Sequence, residues 1–137
     1  GCYCLGYLWN RGDEVGDATD PNTGRKIEFK ATSRFEGDLS SFGPKCVFDD
    51  LVFLRFKLDE NLLYIYDLNI NSEEFGKYPA NKTQTIQEQK NQGRRPHVSL
   101  QTLFVDANNL EPDIIFDIRR CKAYNRVSEY YQRLIGK

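Results

Sequence analysis

The stretch from position 16 to 32, GDATDPNTGRKIEFKAT, sets three carboxylates and three cations around a string of turn formers. If the chain reverses about Pro21-Asn22-Thr23-Gly24 with Asp20 opposite Arg25, then Ala18 faces Ile27 and Asp17 faces Glu28. Directly opposed residues of an antiparallel pair share a side of the sheet, and so do residues two apart on one strand. Asp17, Glu28 and Lys30 therefore converge on one side, with Ala18, Ile27 and Phe29 on the other. Asp20 starts the turn, although one bulge near Thr19 would exchange the two aspartates. Two neighbouring carboxylates repel each other and call for a cation, and all-oxygen ligation suits Mg²⁺, with Mn²⁺ as a substitute. A lysine beside such an ion can orient or deprotonate water, while the ion stabilises charge on a scissile phosphate. These are the parts of metal-assisted phosphodiester hydrolysis. Spacing alone leaves open an exposed hairpin with ordinary scattered charge.

A second group lies further on, in NKTQTIQEQKNQGRRPH (81–97). Lys82, Gln84, Gln92, Arg94, Arg95 and His97 suit the reading of DNA. Arginine pairs bidentately with guanine and glutamine with adenine, while lysine suits phosphates. The stretch has one sizeable apolar side chain, Ile86, so it is expected at the surface. Taken by itself it reads first as a solvated loop, with Arg94 and Arg95 paired to Glu88 or Asp106. The segment after Lys30 stays near the hairpin, so Thr32, Ser33, Arg34, Ser40, Ser41 and Lys45 are candidate DNA contacts, or ordinary hydrophilic loop. His97 is the only histidine, and neither G-x-S-x-G nor a phosphate-binding glycine loop occurs. A serine triad and a nucleotide cofactor are thereby disfavoured.

The elements that must position these residues follow from patterning. DLVFLRFKL (50–58) and LLYIYDLNI (62–70) read as core strands joined by a turn at Asp59-Glu60-Asn61. With the first hairpin they suggest a four-stranded meander. NSEEFGKYP is a single helical turn, and Thr85 with Glu88 forms a capping-box pattern that Gly93 would end. Leu100, Leu103, Phe104 and Ala107 mark a helix from Ser99. DIIFDI (113–118) reads as a strand, with the basic run RRCKAYNR beyond it as surface. The stripe Val127, Tyr130, Tyr131, Leu134 and Ile135 predicts a C-terminal helix, and Cys2, Leu5, Leu8 and Trp9 suggest the end of an N-terminal helix capped by Gly12.

The chain has 137 residues, 39% hydrophobic and 28% charged, which fits one globular domain with a real core. No apolar run approaches the ~20 residues of a membrane span. The formal net charge of −1 argues against a bulk electrostatic nucleic-acid binder but leaves room for a local basic face. There is no methionine, and the opening GCYCLGYLWN is not a signal peptide, so residues are expected to precede Gly1. Cys2, Cys4, Cys46 and Cys121 lack zinc spacing and are expected as reduced, buried thiols of a cytosolic protein.

The order D-x(n)-E-x-K on a hairpin, then SSFGPK and FDDLVFLRF, then NQGRRPHVSL covers most of the chain and resembles type II restriction endonucleases of the PD-(D/E)xK nuclease superfamily. The resemblance implies an α+β, restriction-endonuclease-like fold: a central mixed β-sheet built on an antiparallel meander and flanked by helices. Residues 1–137 would form a single nuclease domain truncated at its N-terminus. The implied activity is sequence-specific cleavage of double-stranded DNA with Mg²⁺, by a homodimer in a prokaryotic cytoplasm. Carried over by position, Asp17 and Glu28 bind the metal with the Phe29 carbonyl, and Lys30 works with the attacking water. No proline precedes Asp17, and Asp20-Pro21 has the reverse order. Residues 1–10 hold no acid, which leaves Glu14 nearest for the acid that many members place on a preceding helix. A structure-selective or repair nuclease of the same fold, or a non-catalytic DNA-binding module, remains the alternative.

Overall fold

The computed structural model describes residues 17–124 and the backbone of Leu8 and Trp9. A mixed seven-stranded sheet carries the described residues, with its strands lying in sequence order. They are β1 (Leu8–Trp9), β2 (Ala18–Thr19), β3 (Lys26–Thr32), β5 (Asp50–Lys57), β6 (Leu62–Asp67), β8 (Ile114–Asp117) and β9 (Lys122–Tyr124). Two short strands, β4 (Ser40–Ser41) and β7 (His97–Val98), pair separately. Short helices at Ser72–Gly76 and Ile86–Asn91, and a helical stretch after Ser99, complete an α+β architecture.

The opening hairpin has the expected register: Ala18 faces Ile27 and Thr19 faces Lys26. Its turn closes through Gly24 N to Asp20 O (2.8 Å), with Gly24 at φ +75°, where a side chain would be strained. β5 and β6 form the expected antiparallel pair, joined through Asn61 in the left-handed region.

The four-stranded meander is not formed, because β3 runs parallel to β5 from Ile27 opposite Asp50 to Thr32 opposite Arg55. A parallel neighbour needs a crossover of a dozen or more residues, and segment 33–49 is long enough to carry the chain back to the starting end of β3. The antiparallel run is β5–β6–β8–β9 instead. The N-terminal helix also fails where it is described: Leu8 and Trp9 pair antiparallel with Thr19 and Ala18. A short apolar run does not by its spacing distinguish helix from strand, and β2 offers an open edge. The rest of that stretch and the C-terminal helix at 127–135 lie outside the described residues, as do Cys2 and Cys4. Cys121 departs from the expected burial, being exposed in the turn before β9, whereas Cys46 is half-buried. Among the described residues no helix is long and apolar enough to cross a membrane.

The sheet has two apolar faces. Ile27, Val52, Leu54 and Ile65 cluster on one, and Leu51, Phe53, Phe42, Phe75 and Phe104 on the other, beneath the helices. Phe42 and Phe75 meet at 4.6 Å between ring centroids, which anchors the crossover on the helical layer. The stretch after Ser99 is helical as expected, but Gln101–Asp106 winds as a π-helix. Its start is held by Asp38 of the crossover, whose carboxylate accepts from Ser99 Oγ (2.8 Å), Leu100 N (2.9 Å) and Gln101 N (3.0 Å).

Asp50, fully buried at the start of β5, accepts from Leu51 N at 2.8 Å and Ile70 N at 3.2 Å through Oδ1. Its Oδ2 has no donor within reach. Burial, then a shared hydrogen bond and the charge of Asp67, push the Asp50 carboxyl up to about 7. A proton on Asp50 supplies the donor that two bare carboxylates lack. The folded chain keeps that proton after the unfolded chain, titrating near ~3.9, has released it. The contribution is therefore whole below about pH 4 and is lost as pH rises toward 7. Asp50→Asn, which carries its own donor, is expected to flatten this loss in urea unfolding compared at about pH 5 and about pH 8. An unchanged slope would rule out the shared proton.

Candidate active site

The hairpin continues one residue beyond β2. Asp17 N donates to Ile27 O at 2.8 Å, and Asp17 Oδ2 accepts from Phe29 N at 2.9 Å. The Asp17 carboxylate thus lies across β3 beside Glu28. Two residues along the strand, Lys30 Nζ is 3.9 Å from Glu28 Oε1. Asp20 takes no part: its Oδ1 accepts from Asn22 N at 2.9 Å within the turn.

The Glu28 side chain is only 13% exposed. Its carboxyl is raised above the usual range, first by burial and then by the Asp17 charge, while Lys30 pulls it down. One lysine does not offset burial plus a neighbouring carboxylate, and a divalent cation would. The donor set is hard oxygen, which fits Mg²⁺ or Mn²⁺. Among the described residues no third Asp, Glu, His or Cys joins the pair to complete a three-ligand cluster, and Glu14 lies outside them. Remaining ligands would be backbone oxygen, water and phosphate.

The crossover closes over the site. Phe42 lies under Lys30, with Nζ 4.8 Å from the ring centroid, a cation–π contact that holds the ammonium in place. Cys46 turns its thiol toward Glu28 and favours the carboxylate form. Its carbonyl accepts from Lys90 Nζ at 3.0 Å. Lys90 escapes a sequence reading that treats 81–96 as plain surface, and Phe42 and Cys46 escape one that treats the crossover as polar loop. One signal for Lys90 was present: Ile86, Gln89 and Lys90 occupy positions i, i+3 and i+4, and all three are buried.

The candidate reader is organised by that same helix. Thr85 and Glu88 make the reciprocal capping box, with Glu88 N to Thr85 Oγ1 at 3.2 Å and Thr85 N to Glu88 Oε1 at 3.1 Å. Lys82, Gln92, Arg94, Arg95 and His97 are exposed and Gln84 is half-buried. Arg94 Nη1 donates to Gln84 Oε1 at 3.1 Å, so these two form one polar unit. The pairing of Arg94 or Arg95 with Glu88 or Asp106 is not found among the described residues. Glu88 is occupied by the cap, and Asp106 accepts from Gln101 Nε2 at 3.3 Å. Ser41 faces His97 in the β4–β7 pair, and Phe42 N donates to Pro96 O at 3.1 Å, so the crossover ties the reader to the hairpin. Of the crossover residues, Ser33, Arg34 and Lys45 are exposed and Thr32 and Ser41 half-buried. Ser40 is not an available contact, since it is buried with its hydroxyl donating to Asp38 at 3.3 Å. A short polar strand hides its inward residue in this way.

The family model described as Bsp6I restriction endonuclease matches residues 1–107, which include both the hairpin and the segment from Lys82 to His97. A curated relative, the type II restriction enzyme Bsp6I of Bacillus sp. (strain RFL6), is 42% identical over 121 residues, covering 88% of this chain and 69% of that protein. No solved structure matches the chain.

Proposed function

The chain belongs to the Bsp6I restriction endonuclease family and is a type II site-specific deoxyribonuclease; on that premise we propose that Asp17, Glu28 and Lys30 are its catalytic centre and that residues from Lys82 to His97 read the bases. The observation that carries this reading is the pair of apposed carboxylates, Asp17 and Glu28, beside the Lys30 ammonium. Their arrangement supports a restriction-endonuclease-like fold of the PD-(D/E)xK kind, formed by one domain over residues 1–137.

Asp17, Glu28 and the Phe29 carbonyl would hold Mg²⁺, with Mn²⁺ as a substitute. The ion supplies Lewis-acid stabilisation of charge on the scissile phosphate. Lys30, fixed between Glu28 and the Phe42 ring, orients the attacking water and takes part in moving its proton. Water oxygen bonds to phosphorus as the bond to the leaving sugar oxygen breaks. Arg94, Arg95, Gln84 and Gln92 offer the donors and acceptors that bases pair with, Lys82 suits a phosphate, and His97 lies where the reader meets the crossover. One centre cuts one strand, so cutting antiparallel strands needs a two-fold homodimer. A prokaryotic cytoplasm is the expected compartment.

Incubation of plasmid DNA with the protein and Mg²⁺ tests the reading. Discrete fragments support it. Cleavage confined to branched DNA favours a structure-selective nuclease, and binding without any cleavage favours a non-catalytic module. With the site mapped, Arg94→Ala is expected to reduce discrimination against one-base variants by about 1–3 kcal/mol. Lys82→Ala should weaken all duplexes alike. An Arg94→Ala loss that is equal on every duplex would remove Arg94 from base reading.

A further inference from the structure

Lys90 lies at the end of the Ile86–Asn91 helix and is 6% exposed. A buried ammonium is costly unless its charge is used, and burial lowers its pKa here. No carboxylate lies within ion-pair distance of it among the described residues. Against burial, Cys46 and then Glu28 of the hairpin favour its charge, while Lys30 opposes it. Its one direct acceptor is the Cys46 carbonyl at 3.0 Å. At the backbone Lys90 belongs to the reader, since Gly93 N donates to Lys90 O at 2.9 Å and Arg94 N to Gln89 O at 3.0 Å.

Building on the nuclease reading above, we propose that Lys90 is a positioning residue that couples base reading to catalysis, linked through its backbone to the Arg94 turn and through its ammonium to Cys46, whose thiol faces Glu28. The chain of contacts is continuous. A shift of Gln92 or Arg94 toward a base edge bears on the Gln89 and Lys90 carbonyls, turns the end of the helix, and moves Cys46, whose thiol faces Glu28. A lysine serves better here than an apolar side chain, because its ammonium both grips the Cys46 carbonyl and sets a positive charge toward Glu28. Cleavage should therefore discriminate between right and wrong sequences more sharply than binding does.

The test compares a duplex carrying the mapped site with a one-base variant, both with Mg²⁺. Binding is measured in a Lys30→Ala background, in which cutting is slow against the time of the binding measurement, and cleavage is measured in single turnover with Lys30 present. The quantity read is the excess of cleavage discrimination over binding discrimination. In Lys90→Met this excess is expected to fall at least about tenfold, the scale of a typical coupling free energy, while affinity for the mapped site changes by less than about threefold. A purely structural role would weaken binding and cleavage together and leave the excess unchanged, which overturns the proposal. If Lys90→Met does not fold, Cys46→Ala breaks the next link, and an undiminished excess there overturns it equally. Failure of the wild type to cut DNA at all would defeat the nuclease reading instead, so the two failures are distinguishable.

Discussion

Lys30→Ala is expected to slow Mg²⁺-dependent cleavage by about 10²–10⁴-fold, the usual contribution of a positioned proton-transfer group, with duplex affinity little changed. Lys30 stands on the same side of β3 as Glu28, with its ammonium 3.9 Å from Oε1 and 4.8 Å above the Phe42 ring. Those contacts leave the ammonium few orientations, which is what a group acting on water requires. The substitution removes no apolar core side chain, so the fold should survive it. Its electrostatic effect runs in a definite direction. Lys30 is the larger of the two influences, with Cys46, that lower the Glu28 carboxyl against burial and Asp17, so its loss raises that carboxyl further. Part of the deficit should therefore be recovered at higher pH, as Glu28 ionises again. The part that persists at high pH measures the lysine's own role. Single-turnover cleavage of a labelled duplex across pH, with anisotropy for binding, separates the two. A rate within about tenfold of wild type at every pH would remove Lys30 from the chemistry.

Asp38→Ala should have the largest effect on stability of any polar substitution among the described residues, about 3–5 kcal/mol. Asp38 is 3% exposed and its carboxylate receives four hydrogen bonds, from Ser99 Oγ, Leu100 N, Gln101 N and Ser40 Oγ. An ordinary cap contributes about 0.5–2 kcal/mol. Here removal also leaves buried donors without partners, at about 1–3 kcal/mol each where water does not reach them. The damage extends beyond the helix, since Asp38 precedes β4 and thereby fixes the β4–β7 pair that joins crossover to reader. Urea unfolding measures the loss, and a value below about 1 kcal/mol would show that the donors find other partners. Asp38→Asn keeps one acceptor oxygen and should fall between Ala and wild type.

These cases show which parts of the molecule were legible in the chain. The hairpin was, because it is local: turn formers at Pro21–Gly24 set the pairing of Ala18 with Ile27, and pairing sets the side on which each carboxylate lies. Placing Asp17 rather than Asp20 beside Glu28 needed no information from distant residues. The capping box at Thr85 and Glu88 and the strands β5, β6 and β8 were legible for the same reason. The direction of β3 against β5 was not, since either pairing buries Ile27 and Val52 equally well. Asp38 reads as one more loop acid until the helix sixty residues later is laid over it.

What the sequence determined by itself was a local register, an Asp, a Glu and a Lys on one side of a hairpin, together with the order of motifs that marks a restriction endonuclease. What only the tertiary structure decided was which distant groups stand around that hairpin: Phe42 beneath Lys30, Cys46 against Glu28, and Lys90 reaching in from the Ile86–Asn91 helix. Short-range periodicity fixes the side of an element on which a residue lies. It carries no record of which other side the crossover will bring against it, because that depends on how two sheet faces and a long connection share one core.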